Sequence, residues 1–165
     1  MPTFSDWIED LRPNRGATSG TMYGDRFARE DFPEAVIEAT KELMTKIWHN
    51  PRRIKKEGVL EWLRVVSAIY GIDVPNFKFV GREEGDMMYA ITGGGQYRPD
   101  THTIYLYKKY SLTTLLHEFR HAWQFYTEAN CNKEDDARAW SCSLYKVADP
   151  ERYQRAVENG ILHFY

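Results

Sequence analysis

The sequence predicts an α+β fold: a small, mostly antiparallel sheet of about three strands, with one face covered by helices. Three observations carry this. Apolar residues recur at helical spacing across 33–48 and 57–70. Between 77 and 108 the period shortens to that of strands, with Gly-containing breaks. Helical spacing then returns and holds from 111 to about 158. At 165 residues the chain is long enough to bury its own core, and it reads as a single domain, 1–165.

Composition narrows the classes of function. The hydrophobic fraction is 42% and the charged fraction 28%, as in soluble globular chains. A formal charge of −2 gives no bulk electrostatic case for nucleic acid or membrane. Cys131 and Cys142 are too few for a disulfide framework and fit a reducing compartment. The start, Met1 to Trp7, has neither the basic residues nor the apolar run of a signal peptide. No apolar run reaches the ~18 residues of a membrane span. The expectation is a cytoplasmic protein.

In chain order, residues 1–32 read as an irregular arm, with a short helix capped by Ser5 or Asp6 and running through Leu11. Pro33 opens a helix to Trp48, with Val36, Ile37, Thr40, Leu43, Met44 and Ile47 as its apolar stripe. Asn50-Pro51 stops it. Arg52-Arg53-Ile54-Lys55-Lys56 is a basic run, read as a solvated helix start or connection. Glu57 to Tyr70 forms a second helix, closed by Gly71. Phe77–Val80 and Met87–Ile91 read as strands joined by the charged turn 81–86. Gly93-Gly94-Gly95 lacks a following helix or Lys-Ser/Thr, so it is not a phosphate loop; it lets the backbone turn tightly. After a turn at 97–100, His102 to Lys108 alternates as a third strand. Helices follow at 111–128, 134–147 and 149–158.

The helix at 111–128 holds the chemistry. It contains Leu115-Leu116-His117-Glu118-Phe119-Arg120-His121-Ala122-Trp123-Gln124, and within it H-E-x-x-H. Residues four apart share a helix face, so His117 and His121 can aim two imidazoles at one zinc ion. Glu118, one step round, is placed beside a zinc-activated water as general base. The helix is apolar over most of its circumference, from Leu112 to Tyr126, and leaves a strip of His117, His121, Gln124 and Glu128. Such a helix is buried, and its polar groups need partners, which a metal supplies. Glu134, Asp135 and Asp136, at the start of the next helix, are candidates for the third ligand.

On these residues, over roughly 87–148, the chain resembles a small zincin-type metallopeptidase of the gluzincin kind, similar to phage- and prophage-encoded members. The resemblance implies zinc bound by two His of H-E-x-x-H and a Glu of a following helix, often in Glu-x-x-Ala. Glu134-Asp135-Asp136-Ala137 fits that pattern and makes Glu134 the first choice. The spacing from His121 is short, and Arg138 stands where an Asp often follows the Ala. The resemblance also implies a peptide or protein substrate laid along an edge strand just before the active helix, here 102–108.

The expected reaction is peptide hydrolysis. Zinc acidifies a water, Glu118 takes its proton, and the leaving amine receives it. An oxyanion donor besides zinc is sought among Tyr97, Tyr105, Tyr107, Tyr126, His102 and His163. Alternatives are a deformylase-like hydrolase, disfavoured because both Cys lie downstream of the motif; a metal-stabilised interaction domain without activity; and a nucleic-acid-associated protease using Arg52 to Lys56.

Overall fold

The structure is a computed structural model and describes residues 23–159. The expected helix before Leu11 and the tail with His163 lie outside these residues. Six helices and a three-stranded mixed sheet are present among the described residues, an α+β arrangement.

The helices are α1 (Glu34–Ile47), α2 (Arg52–Tyr70), α3 (Arg82–Thr92), α4 (Leu112–Thr127), α5 (Lys133–Ala148) and α6 (Pro150–Glu158). In α1 the six residues of the apolar stripe are the six that are buried. Thr40 enters that stripe with its hydroxyl satisfied twice: it donates to the Val36 carbonyl at 2.7 Å and accepts from Trp62 Nε1 at 3.0 Å. The basic run forms the first turns of α2, which therefore starts at Arg52 rather than Glu57. Gly71 ends it at φ 68°, a left-handed conformation that costs glycine little.

The strands are β1 (Asn76–Val80), β2 (Gly95–Arg98) and β3 (Thr103–Tyr107), in the order β1-β3-β2. Three expectations are corrected here. The segment 87–91 is not a strand: it lies in α3, which also takes up the expected charged turn. The sheet is not mostly antiparallel: β1 runs parallel to β3, and β2 antiparallel to it. The strand before the active helix, β3, is central, and β2 is the edge on the far side from β1. The first two corrections share a cause. The helix between β1 and β2 carries the chain past the end of β3, from Val80 to Gly95, and β2 then runs it back, so that β1 and β3 point the same way.

The core gathers where α4 meets α2 and α5. Phe119 of α4 packs against Trp62 of α2 (5.1 Å between centroids) and Trp140 of α5 (5.8 Å). Leu115, Leu116, Ile104 and Leu106 are fully buried in the same cluster. Burying each such side chain contributes about 1.5–3 kcal/mol. Residues 23–32 of the arm are seated on α5. Ser143 Oγ donates to the Tyr23 carbonyl at 3.0 Å and accepts from the Phe27 N–H at 3.1 Å. Among the described residues no helix is long and apolar enough to cross a membrane.

Candidate metal centre

Two helix starts aim the site. Ser111 caps α4, its hydroxyl accepting from the Thr114 N–H at 3.4 Å. Asn132 caps α5, its side chain accepting from the Asp135 N–H at 3.1 Å. The five-residue link between α4 and α5 turns at Glu128, in the left-handed region at φ 53°. It lays the first turn of α5 beside the middle of α4.

There His117 and His121 meet Glu134. The two Nε2 atoms are 3.0 Å apart. His117 Nε2 is 3.2 Å from Glu134 Oε2, and His121 Nε2 is 3.0 Å from Glu134 Oε1. Two ligand atoms on a tetrahedral zinc, each about 2.0–2.1 Å from the ion, stand about 3.3 Å apart. The three side chains are thus nearly at ligand spacing. Among the described residues they form a group whose donor atoms all lie within 4.8 Å of one another, able to hold a metal ion. Two buried polar atoms of the group have no hydrogen-bond partner, His117 Nδ1 and Glu134 Oε2. Buried polar atoms are seldom left so. A cation between the donors fits the second of these.

The electrostatics point the same way. Burial alone would raise Glu134, but the His117 and His121 rings beside it hold it far below the ordinary carboxylate range. Burial would lower His121, but Glu134 and Glu118 outweigh it and leave the ring above its usual value. Both shifts mean that the space between these groups favours positive charge.

The other two acids of the triplet turn elsewhere. Asp135 pairs with Arg26 at 2.9 Å. Asp136 takes a two-point bond from Arg120, at 2.7 Å from Nε and 3.2 Å from the second nitrogen. Arg120 is itself buried and lies 3.7 Å over the Trp123 ring. Sequence reading assigned neither Arg120 nor Asp136 a role in this support. Gln124 was seen only as part of the polar strip, yet it is fully buried and joins the site. Its Oε1 is 2.8 Å from His121 Nδ1, and its Nε2 donates to the Lys133 carbonyl at 2.9 Å and to Asp136 Oδ2 at 2.7 Å. Its place three residues after His121, on the same helix face, was the available signal.

Glu118 is buried, at 9% exposure, beside this group. Burial raises its carboxyl above the ordinary value; the nearby His117 and His121 and a bond from the Tyr97 backbone N–H offset part of that. Tyr97 lies on β2. Tyr107 N donates to the Gly94 carbonyl at 2.9 Å, so Gly94 and alternate residues after it face β3, while Gly95 and Tyr97 face the open edge.

The candidate oxyanion donors are placed unequally. Tyr97 spends its hydroxyl on His102 Nδ1 at 2.7 Å, and His102 Nε2 is 2.7 Å from the Asp73 carbonyl. Tyr107 is buried with its hydroxyl on Gln96 Oε1 at 3.1 Å. Tyr105 stacks on Tyr107 at 5.9 Å. Tyr126, expected on the buried side of its helix, is 46% exposed. Of the cysteines, Cys131 is exposed and Cys142 buried, and neither belongs to the group. The chain matches no protein-family model, no curated protein and no solved structure.

Proposed function

We propose that this chain is a zinc-dependent peptidase, with His117, His121 and Glu134 as the zinc ligands and Glu118 as general base. The observation that carries the reading is the convergence of two imidazole nitrogens and a carboxylate, from two helices, at 3.0–3.2 Å. Two nitrogens and one oxygen are a donor set that suits catalytic zinc, with one position left for water. When bound, zinc supplies Lewis acidity and lowers the pKa of a coordinated water toward about 7.

The chain's own groups do the rest. His117 and His121 present their ring nitrogens from consecutive turns of a helix anchored by its buried apolar residues, so their spacing is set by the backbone. Glu118 Oε accepts the proton from the attacking water and passes it to the departing amine nitrogen. A carboxyl raised by burial is a stronger base than one in water, which suits that task near neutral pH. The Tyr97 N–H orients the carboxylate. The open edge of β2 supports a peptide as substrate, since an extended chain can add to it as a further strand. Exposed Phe125, at 6.4 Å from the Tyr97 ring, offers an apolar surface beside that edge.

The test is Glu118→Gln, assayed for zinc content and for cleavage of an unfolded protein such as casein. Zinc is retained and turnover falls by about 10²–10⁴-fold, the usual worth of a general base. Cleavage at the wild-type rate by the variant overturns the role of Glu118. No cleavage by zinc-loaded wild type of any unfolded substrate favours the other reading, a metal-stabilised domain without activity.

A further inference from the structure

We infer that Gln124 is the positioning residue of this centre: it favours the Nδ1–H tautomer of His121, which leaves the Nε2 lone pair for a cation held among His121, Glu134 and His117. The argument is one of donors and acceptors. The Lys133 carbonyl can only accept, and it lies 2.9 Å from one end of the Gln124 amide. Asp136 Oδ2, 2.7 Å from the same end, is held as a carboxylate oxygen by Arg120 Nε at 2.7 Å. Two acceptors at one end require that end to be the NH₂ group, whose two hydrogens they consume. The other end is therefore the carbonyl oxygen. It faces His121 Nδ1 at 2.8 Å, and a bond there requires the hydrogen on the ring. In the neutral ring Nε2 is then bare and can ligate.

The chain of command thus runs Arg120, Asp136, Gln124, His121. Gln124 is 0% exposed and Arg120 8%, while Asp136 and His121 are partly buried. Lys133 and Asp136 flank Glu134 on the first turn of α5. One amide therefore ties the ring of α4 to the helix that carries the carboxylate. Sequence order hides this link, because Gln124 lies ten residues before Glu134. His117 has no counterpart, since its Nδ1 is buried with no partner. The orientation of the pair therefore depends on His121. Outer partners of this kind typically change metal affinity by 10–100-fold when removed.

The direction of the amide stands on geometry alone. In the metal-free protein Glu134 Oε1, 3.0 Å from Nε2, competes for the ring hydrogen, so the effect of Gln124 is read as the difference between wild type and Gln124→Leu. Its consequence for zinc rests on the metal-centre reading above. The experiment separates the two. Long-range ¹H–¹⁵N spectra of metal-free wild type and Gln124→Leu, taken to the alkaline plateau of the His121 shifts, and of zinc-loaded wild type, report which nitrogen carries the hydrogen. Zinc affinity is measured by chelator competition on wild type and Gln124→Leu, with far-UV circular dichroism as the control for folding. We expect a larger Nδ1–H fraction in wild type than in Gln124→Leu, and zinc bound 10–100-fold more weakly by the variant. A merely structural glutamine would shift stability without changing the tautomer. An equal Nδ1–H fraction in wild type and a folded Gln124→Leu overturns the inference, and so, with no variant needed, does Nε2–H with Nδ1 on zinc in the loaded wild type. Unchanged zinc affinity in a folded Gln124→Leu also overturns it. Wild type that binds no zinc but shows the larger Nδ1–H fraction upholds the tautomer preference and sinks the metal reading instead.

Discussion

Gly85→Ala should destabilise this protein, against the usual trend for a helix interior. In an isolated helix the change gains about 0.8–1.0 kcal/mol, because glycine has more backbone freedom to lose. Here Gly85 is the one buried residue of α3. A Cβ built on it would sit 2.3 Å from the Val80 carbonyl oxygen and 3.2 Å from Lys108 N. Those two atoms bond each other at 2.9 Å where β1 and β3 end. The obstruction is backbone on both sides, so no rotamer relieves it. The helix must retreat by about 0.7 Å, from 2.3 to 3.0 Å, before even the tightest real contact is reached. Overpacking of this kind costs about 1–3 kcal/mol, and weakening the Val80–Lys108 bond about 1 kcal/mol more. Set against the helix gain, the net is a loss of about 1–3 kcal/mol, or a Tm lower by roughly 2–12 °C for a chain of this size. Thermal unfolding by circular dichroism measures it. A variant more stable than wild type would show that α3 does not rest on the strand ends, and the account of the parallel pair would go with it.

Two further outcomes concern the support of the site. Arg120→Met leaves the Asp136 carboxylate largely buried with only Gln124 as donor, and should cost about 2–4 kcal/mol in urea unfolding; a loss below 0.5 kcal/mol would mean that the pair contributes nothing net. The acid limb of wild-type stability should carry the mark of Asp136. Burial would raise that carboxyl, but the Arg120 and Gln124 bonds outweigh it and hold it below its ordinary 3.8. A depressed folded value contributes stability above the unfolded one and loses it as pH falls through the folded one. Wild type should therefore hold this contribution down to about pH 4 and lose it below, while Arg120→Met loses it at higher pH. Parallel acid limbs in the two proteins would contradict the assignment.

Much of this architecture is readable from residue order, and the failures have physical causes. The stripe of α1 was legible because its residues repeat at helical spacing with Pro33 before and Asn50-Pro51 after. The same holds for α4 and α5. The segment 82–92 misled because it has the marks of a hairpin. Gly81 and Gly85 flank three charged positions, and Met87–Ile91 is an apolar run. As a helix it inverts the usual pattern, since Met87 is 56% and Ile91 70% exposed while the glycine is buried. A close approach of backbone to backbone selects glycine for its missing Cβ, and no hydrophobic period records that. With that helix unread, the crossover was lost, and with it the parallel pairing of β1 and β3. At the site, H-E-x-x-H named its own face because both histidines lie on one helix. The choice among Glu134, Asp135 and Asp136 depends on how α5 is rotated against α4, which only the packed pair determines. Glu134 faces the histidines, Asp135 faces Arg26, and Asp136 faces Arg120. Gln124 was visible but mute, because its two acceptors come from α5.

The central claim is that His117, His121 and Glu134 together hold one metal ion. Isothermal titration of chelator-treated protein with zinc, on wild type and Glu134→Ala in parallel, tests it most directly. The account predicts one zinc per wild-type chain and a large loss of affinity in the variant, with both proteins folded by circular dichroism. No zinc bound by wild type, or zinc bound equally tightly without Glu134, would contradict it.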